Sequence, residues 1–446
     1  MAMGDRRGEP APTPEDAAAA AKTVSETPDQ SVDVLALTLC LLGNFLLRAA
    51  AAAAGTLISL HLASLQKAGV PINAQVVGLA AMLFYGTELL GSLGFGLASD
   101  LKGRKPFMVL GPALGAVAVQ LIIIAPTIPL VLLARAFQGL STASSVPSTL
   151  SYLSAETGYS QRLQGRVMSL FEVASIVGIA GGFAAGGVLW DRLGHSAFVA
   201  VLGAYLASVV FLLLVRERRR LQPRPRNLSA YLQHLRSASA MRLIPAWVAV
   251  NAIVGLWFSH LDFQMGKRDD TTQLLVGGYS GTQIGLYTGA AAVLFVIGIA
   301  AWSLAFGRLR PTRIMGIALG GLFGLVAAVL ALNHSLSSDT LRIALSIVAA
   351  AACLLVMSGF TPAALVYLAG LAEATPDTRG SVMGLYSVFL GLGQLHGSGL
   401  GGAFAAWRGV DGMIVLTFLL GLISATCVFA LARWDGADGA PAAAHH

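Results

Sequence analysis

The residues best able to do chemistry in this chain are ionisable groups set inside long apolar runs. Glu88 lies twelve residues before Asp100, roughly 18 Å along a helix rising 1.5 Å per residue. That depth is near the centre of a bilayer. Arg48 stands about halfway along the first apolar run, Glu172 in the inner third of the fifth, and Arg135 roughly 9 Å from the outer end of the fourth. Charged groups at such depth are costly and mark ion or substrate pathways by default. Glu88, Glu172 and Asp262 are the proton-exchange candidates, because desolvation favours a neutral carboxyl while a nearby arginine favours its anion. For Glu88 two readings stand side by side: neutralisation by Arg48, or a proton carrier facing a central cavity. Glu172 has a rival role as partner to cations such as Arg166.

Other polar residues belong with these. Trp257, His260 and Asp262 close the seventh run, where His260 and Asp262 read as an exposed pair, a gate or a proton entry near the outer mouth. Asn44, Gln138 and His396 are cavity candidates, with simple hydrogen bonding in place as the alternative for His396. Pro147 and Pro362 bend two helices beside Ser/Thr-rich stretches and are hinge candidates, since proline frees a carbonyl. Cys40, Cys353 and Cys427 all fall in apolar runs without Cys-x-x-Cys or Cys/His spacing, so neither a metal site nor a disulfide framework is expected. No nucleophile–base pair appears at helical spacing, and neither an enzyme nor a cofactor is expected.

The elements that position these groups follow from composition. The chain has 446 residues, 56% hydrophobic and 11% charged, with a mean hydropathy of +0.73. A soluble domain carries about 25% charged residues. At about 20 apolar residues per span, twelve helices fit: 33–62, 75–98, 106–125, 129–153, 165–189, 196–215, 243–265, 280–305, 312–332, 340–369, 380–404 and 410–433. Runs this long and apolar must be helices, because lipid offers no partner to an open backbone.

Residues 1–32 lack apolar period and read as a disordered tail rather than a signal peptide. A basic linker, 216–242, separates two bundles, 33–215 and 243–433, with a short tail at 434–446. With the N-terminus inside, cytoplasmic segments hold about 21 of the 29 Lys and Arg. This asymmetry places both termini in the cytoplasm. The net charge of +7 lies in loops and lacks the aromatic interleaving of single-strand nucleic-acid binding. It suits anionic lipid.

An internal repeat organises the helices. Shifted by 215 residues, Pro147, Tyr152 and Leu153 fall on Pro362, Tyr367 and Leu368. Gly165, Val167, Met168 and Leu170 fall on Gly380, Val382, Met383 and Leu385. Gly178, Gly182, Gly186 and Gly187 fall on Gly393, Gly397, Gly401 and Gly402. Small residues at four-residue spacing allow close helix packing.

The loop from Gly96 to Lys105 packs Gly96, Asp100, Gly103, Arg104 and Lys105 into ten residues between two spans. It resembles the Gly-x-x-x-Asp-x-x-Gly-Arg-Lys signature that joins helices 2 and 3 in the major facilitator superfamily. Leu101 stands where that family usually has a basic residue. Arg135-Ala-Phe-Gln138-Gly139 resembles the Arg-x-x-Gln-Gly motif of proton-coupled members. The helix 5 glycines are similar to an antiporter motif, with Phe183 in its proline position. The resemblance implies an all-α polytopic membrane protein of two pseudo-symmetric six-helix bundles, with substrate bound between them. It further implies a gate in which Asp100 docks on the N-terminus of helix 11 near Gly380, aided by Arg104 and Lys105.

The function expected is proton-coupled, alternating-access export of amphipathic or lipophilic small molecules, as in the drug/proton antiporter branch, with Arg48 and Arg135 tuning the carboxylates. A bacterial or archaeal plasma membrane and a monomer are expected. Two alternatives are a facilitator or proton symporter importing a polar metabolite, and a receptor that has lost transport.

Overall fold

The computed structural model describes residues 33–217, 238–268, 270, 272–373 and 379–437. Side chains at 93, 97, 100, 238–242, 369–373, 379–387 and 435–437 lie outside the described set. By its contacts the chain forms two units, residues 1–35 and 36–446. Of the first, the structure describes only 33–35. The tail at 1–32 and most of the expected linker therefore lie outside the described residues.

Among the described residues the structure is helical, apart from a single bridge between Phe306 and Leu309. The helices are α1 (Val34–Lys67), α2 (Ala74–Lys102), α3 (Lys105–Ile124), α4 (Ile128–Thr157), α5 (Gln161–Leu193) and α6 (Ala197–Leu214). A second set follows: α7 (Ala238–Gly266), α8 (Gly281–Trp302), α9 (Pro311–Asn333) and α10, in two pieces, Thr340–Met357 and Phe360–Glu373. Arg379–Ala437 is broken by non-helical backbone at Arg408 and Gly409 into α11 and α12. The expected spans hold, but several helices run four or more residues longer. Polar side chains cap some of these ends. Ser160 caps α5, and Gly194 ends it at a φ of 54°.

Most of these helices are long and apolar enough to cross a bilayer. The exception among the long ones is α4. Its inner surface is hydroxyl-rich, with Gln138, Ser141, Thr142, Ser144, Ser145, Ser148 and Thr149 all buried. Ser141 and Ser144 donate to backbone oxygens of Gly111 and Phe107 in α3, so these side chains serve as helix-to-helix links.

The repeat is visible in backbone geometry. Gly194 and Gly409, 215 residues apart, turn the chain with φ values of 54° and 59° between α5/α6 and α11/α12. Gly178 packs on the Phe45 carbonyl and Arg48, while its counterpart Gly393 packs on the Val248 carbonyl and Asn251. A Cβ at Gly182 would strike the Ala49 carbonyl, and one at Gly397 the Ala252 carbonyl. Helix α5 thus lies on α1 as α11 lies on α7. The close-packing account of these glycines is what the structure displays.

The two prolines differ. Pro147 sits inside an unbroken α4. Its counterpart Pro362 follows an interruption at Ser358–Gly359 that splits α10. The expected equivalence of the two bends is corrected: in α10 the sequence Ser358-Gly359 adds a breaker that α4 lacks.

Candidate functional site

The end of the bundle that carries residues 96–105 is called the inner end, and the opposite one the outer end. Asp262, on α7 and 4% exposed, is a buried carboxyl with two side-chain partners. The Thr56 hydroxyl of α1 donates to its Oδ2 at 2.8 Å. The Thr288 hydroxyl of α8 donates to its Oδ1 at 2.6 Å. A buried carboxylate needs such donors, since leaving one unpaired costs about 1–3 kcal/mol or more. Both donors are buried threonines, and the carboxylate ties α1 of the first bundle to α7 and α8 of the second.

Arg135 on α4 feels the charge of Asp262 without bonding to it. Its Nη1 donates to Gln138 Oε1 at 3.1 Å, one turn on. The guanidinium lies over the Phe84 ring, 5.7 Å from its centroid, a cation–π contact. The guanidinium packs beside Gly55 of α1, with Nη1 3.8 Å from where a Cβ there would lie, an ordinary contact distance. Arg135 therefore turns into the bundle rather than snorkelling outward. Its Nε and the Gln138 Nε2 are buried without a partner.

A second constellation sits further along α1. Asn44 Nδ2 donates to Ser175 Oγ of α5 at 2.8 Å. One turn on, Arg48 feels Glu88 of α2 and Glu172 of α5. Its Nε is buried and unpartnered. Arg48 and Glu88 are thus electrostatic neighbours, not the direct ion pair that mutual neutralisation would require. Glu172 is exposed, unlike Asp262.

The remaining candidates go elsewhere. An exposed His260–Asp262 pair at the outer mouth is corrected: both are buried, at 0% and 4% exposure, and they face different partners. His260 Nε2 meets the Ser398 carbonyl of α11 at 2.8 Å. Two residues apart on a helix, the side chains point about 200° apart and cannot pair. Trp257 donates from Nε1 to Thr417 of α12 at 2.9 Å, a link within the second bundle. His396 is exposed and bonds one turn back to the Leu392 carbonyl at 2.7 Å.

At the inner end the loop is built on Glu217, a residue that belongs to no motif. Gly103 turns with a φ of 96°. Glu217, just past α6, then accepts the Arg104 and Lys105 backbone N–H groups at 3.1 and 3.4 Å. This is the place on a helix where a carboxylate is favoured. The Arg104 side chain, 3% exposed, donates from Nε to Ser151 of α4 at 2.7 Å and reaches Glu217 at 3.8 Å. Tyr152 donates to the Arg216 carbonyl at 3.2 Å. Arg104 and Lys105 thus brace the first bundle internally. Only charge complementarity at distance could have pointed to Glu217. Of the expected gate, which also includes Gly96, the Asp100 side chain and the side chains at the start of α11, where Gly380 lies, are outside the described set.

The Major Facilitator Superfamily model matches residues 37–365. The chain belongs to this family. It is therefore a membrane transporter and not an enzyme. No curated protein matches it in sequence. Among solved structures it is similar to the nucleoside transporter NupG, with a TM-score of 0.70 at 12% identity over 90% of this chain and 98% of that one. It is similar to a bacterial homolog of the human lysosomal transporter Spinster, solved inward-facing and unoccupied, with a TM-score of 0.68 at 16% identity over 89% and 97%. A D-xylose-proton symporter gives 0.64 at 15% identity over 90% and 97%. At such identities the likeness concerns the fold.

Proposed function

We propose that this transporter is a secondary active carrier that works by alternating access and couples to protons through Asp262. The observation that carries the reading is the carboxylate held between Thr56 of one bundle and Thr288 of the other. As an anion it accepts both hydroxyls. Protonated, it loses charge and one acceptor position, and the tie between the bundles weakens. Proton binding is thereby linked to the bundle-to-bundle contact that alternating access must break. Arg135 supplies the countercharge, and Arg48, Glu88 and Glu172 form a second charged group facing the inner end.

The substrate supported best is an amphipathic or lipophilic small molecule, exported in exchange for protons. Arg135 lies near Asp262, and Arg48 near Glu88, so each buried cation has a carboxylate neighbour and none stands alone to select an ion. Aromatic surface lies close by: Phe183 of α5 stacks on Phe258 of α7 across the bundles, with centroids 5.8 Å apart. The helix 4 resemblance supports proton coupling, and the helix 5 glycines, with Phe183 in the proline position, resemble an antiporter motif. A second reading, proton symport of a polar metabolite, is favoured by the unpartnered Gln138 Nε2, Asn44 Oδ1 and arginine Nε atoms. The nucleoside and D-xylose carriers among the structural neighbours agree with it.

Proteoliposomes carrying an imposed pH gradient test both. Ethidium moving against the proton gradient in wild type, and not in Asp262→Asn, supports the first reading. Uridine or D-xylose moving with protons supports the second. Flux that ignores the gradient in both proteins removes Asp262 from coupling.

A further inference from the structure

Where α5 ends at the outer face, Asp191 reaches across to the other bundle. Its Oδ1 accepts the Gly281 N–H at 2.8 Å and its Oδ2 the Thr282 N–H at 2.7 Å. These are the first two amides of α8. The third, on Gln283, is taken by the Ser280 hydroxyl in a capping box. The same helix ends meet backbone to backbone: a Cβ at Gly187 would strike the Gly281 carbonyl and lie 3.1 Å from Gly285 Cα. We propose that Asp191 is a gating residue of the transport cycle, a latch that holds the outer end shut by capping the N-terminus of α8.

Three features argue for a gate rather than a helix cap. First, α8 does not need a distant residue to start. On α2 the N-cap Asn73 serves both Gln75 and Val76 from its own side chain, at 3.1 and 3.2 Å. Second, the bond joins α5 to α8, one from each bundle, so outward opening must break it. Opening leaves two amides at the positive end of a helix without their anion. Third, Asp191 is exposed. Water can take over both partners when the helices part, so the contact is reversible. A buried carboxylate such as Asp262 has no water to replace its partners and must first be neutralised, whereas the exposed Asp191 can part without a proton.

The latch rests on the alternating-access reading, and the test separates the two. Spin labels are placed at Leu193→Cys and Leu336→Cys, outer positions on the first and second bundles, with Cys40, Cys353 and Cys427 replaced by Ala. The distance distribution is read in proteoliposomes. Asp191→Asn and Asp191→Ala should each lower the ratio of short to long distances roughly fivefold to tenfold, from the loss of a charged helix cap. Asp191→Glu should recover part of it, and Arg192→Ala none of the change. Wild-type distributions in both the Asn and the Ala variant overturn the latch. Gly187→Val props the crossing open sterically. If it lengthens the distances while the Asp191 variants do not, only the latch is wrong. If it too leaves them fixed, alternating access itself is wrong.

Discussion

Two close helix crossings join the bundles at the outer end, and they are built from the same parts with different chemistry. At one, Gly187 of α5 lies on Gly281 and Gly285 of α8. At the other, Gly402 of α11, the repeat partner of Gly187, lies on Ala74 and Gly78 of α2. The steric design is shared, because close approach needs only small residues at the right spacing. The polar design is not. Asp191 clamps α8 from across the first crossing, whereas its repeat position in α11 is Ala406. The second crossing is instead backed by His260, bonded to the Ser398 carbonyl within its own bundle. A gene-duplicated scaffold preserves packing in both copies and lets each copy acquire its own ties.

That contrast can be broken in order of expected effect. Gly187→Val should destabilise by about 1–3 kcal/mol, the usual cost of overpacking, and by more than Gly78→Val. At Gly187 the obstruction is the Gly281 carbonyl in near contact, while at Gly78 the Ser398 carbonyl lies 2.9 Å from the added Cβ. Thermal unfolding in detergent measures the difference. Next, Asp262→Asn should lower proton-driven flux about tenfold by removing charged hydrogen bonds worth about 1.5–3 kcal/mol. Unfolding temperature should move less, since the amide keeps one acceptor. Equal transport in Asp262→Asn and wild type would shift attention to Glu88.

The comparison is sharpened by giving the second crossing what it lacks. Ala406→Asp faces the start of α2, and a carboxylate there should add about 0.3–1 kcal/mol, read as a higher unfolding temperature at low salt that disappears at high salt. The smallest effect concerns the loop that delivers the start of α8. The Thr272 hydroxyl, and then its backbone N–H, hold the Asp270 carboxyl below the usual carboxylate range. A lowered folded value stabilises the loop above the unfolded value near about 4 and is lost as pH falls through the folded one. Hydrogen exchange of residues 267–280 should therefore quicken in acid, and Thr272→Val should blunt that pH dependence.

Much of the fold was legible in the sequence because lipid removes alternatives. A run of twenty apolar residues has one way to satisfy its backbone, and a 215-residue repeat of glycines announces two equivalent bundles. The site was legible in part. Arg135, Gln138 and Asp262 stood out at their depth; Arg135 bonds to Gln138, while Asp262 is an electrostatic neighbour whose bonds go elsewhere. Its partners Thr56 and Thr288 did not stand out, because threonine is ordinary in a membrane helix until a carboxylate is found beside it. His260 misled for the same reason: its neighbour in sequence is not its neighbour in space. Glu217 and Asp191 look like ordinary charges at the ends of apolar runs, and only the fold reveals that each sits on the N-terminus of a helix.

The sequence by itself determined the apolar helices and their duplication, since hydropathy and small-residue spacing are properties of each segment alone. The tertiary structure decided which charges meet, which helix ends are capped from afar, and where the two bundles touch. Those outcomes depend on side chains tens to hundreds of residues apart, and such pairings are settled only when helices pack.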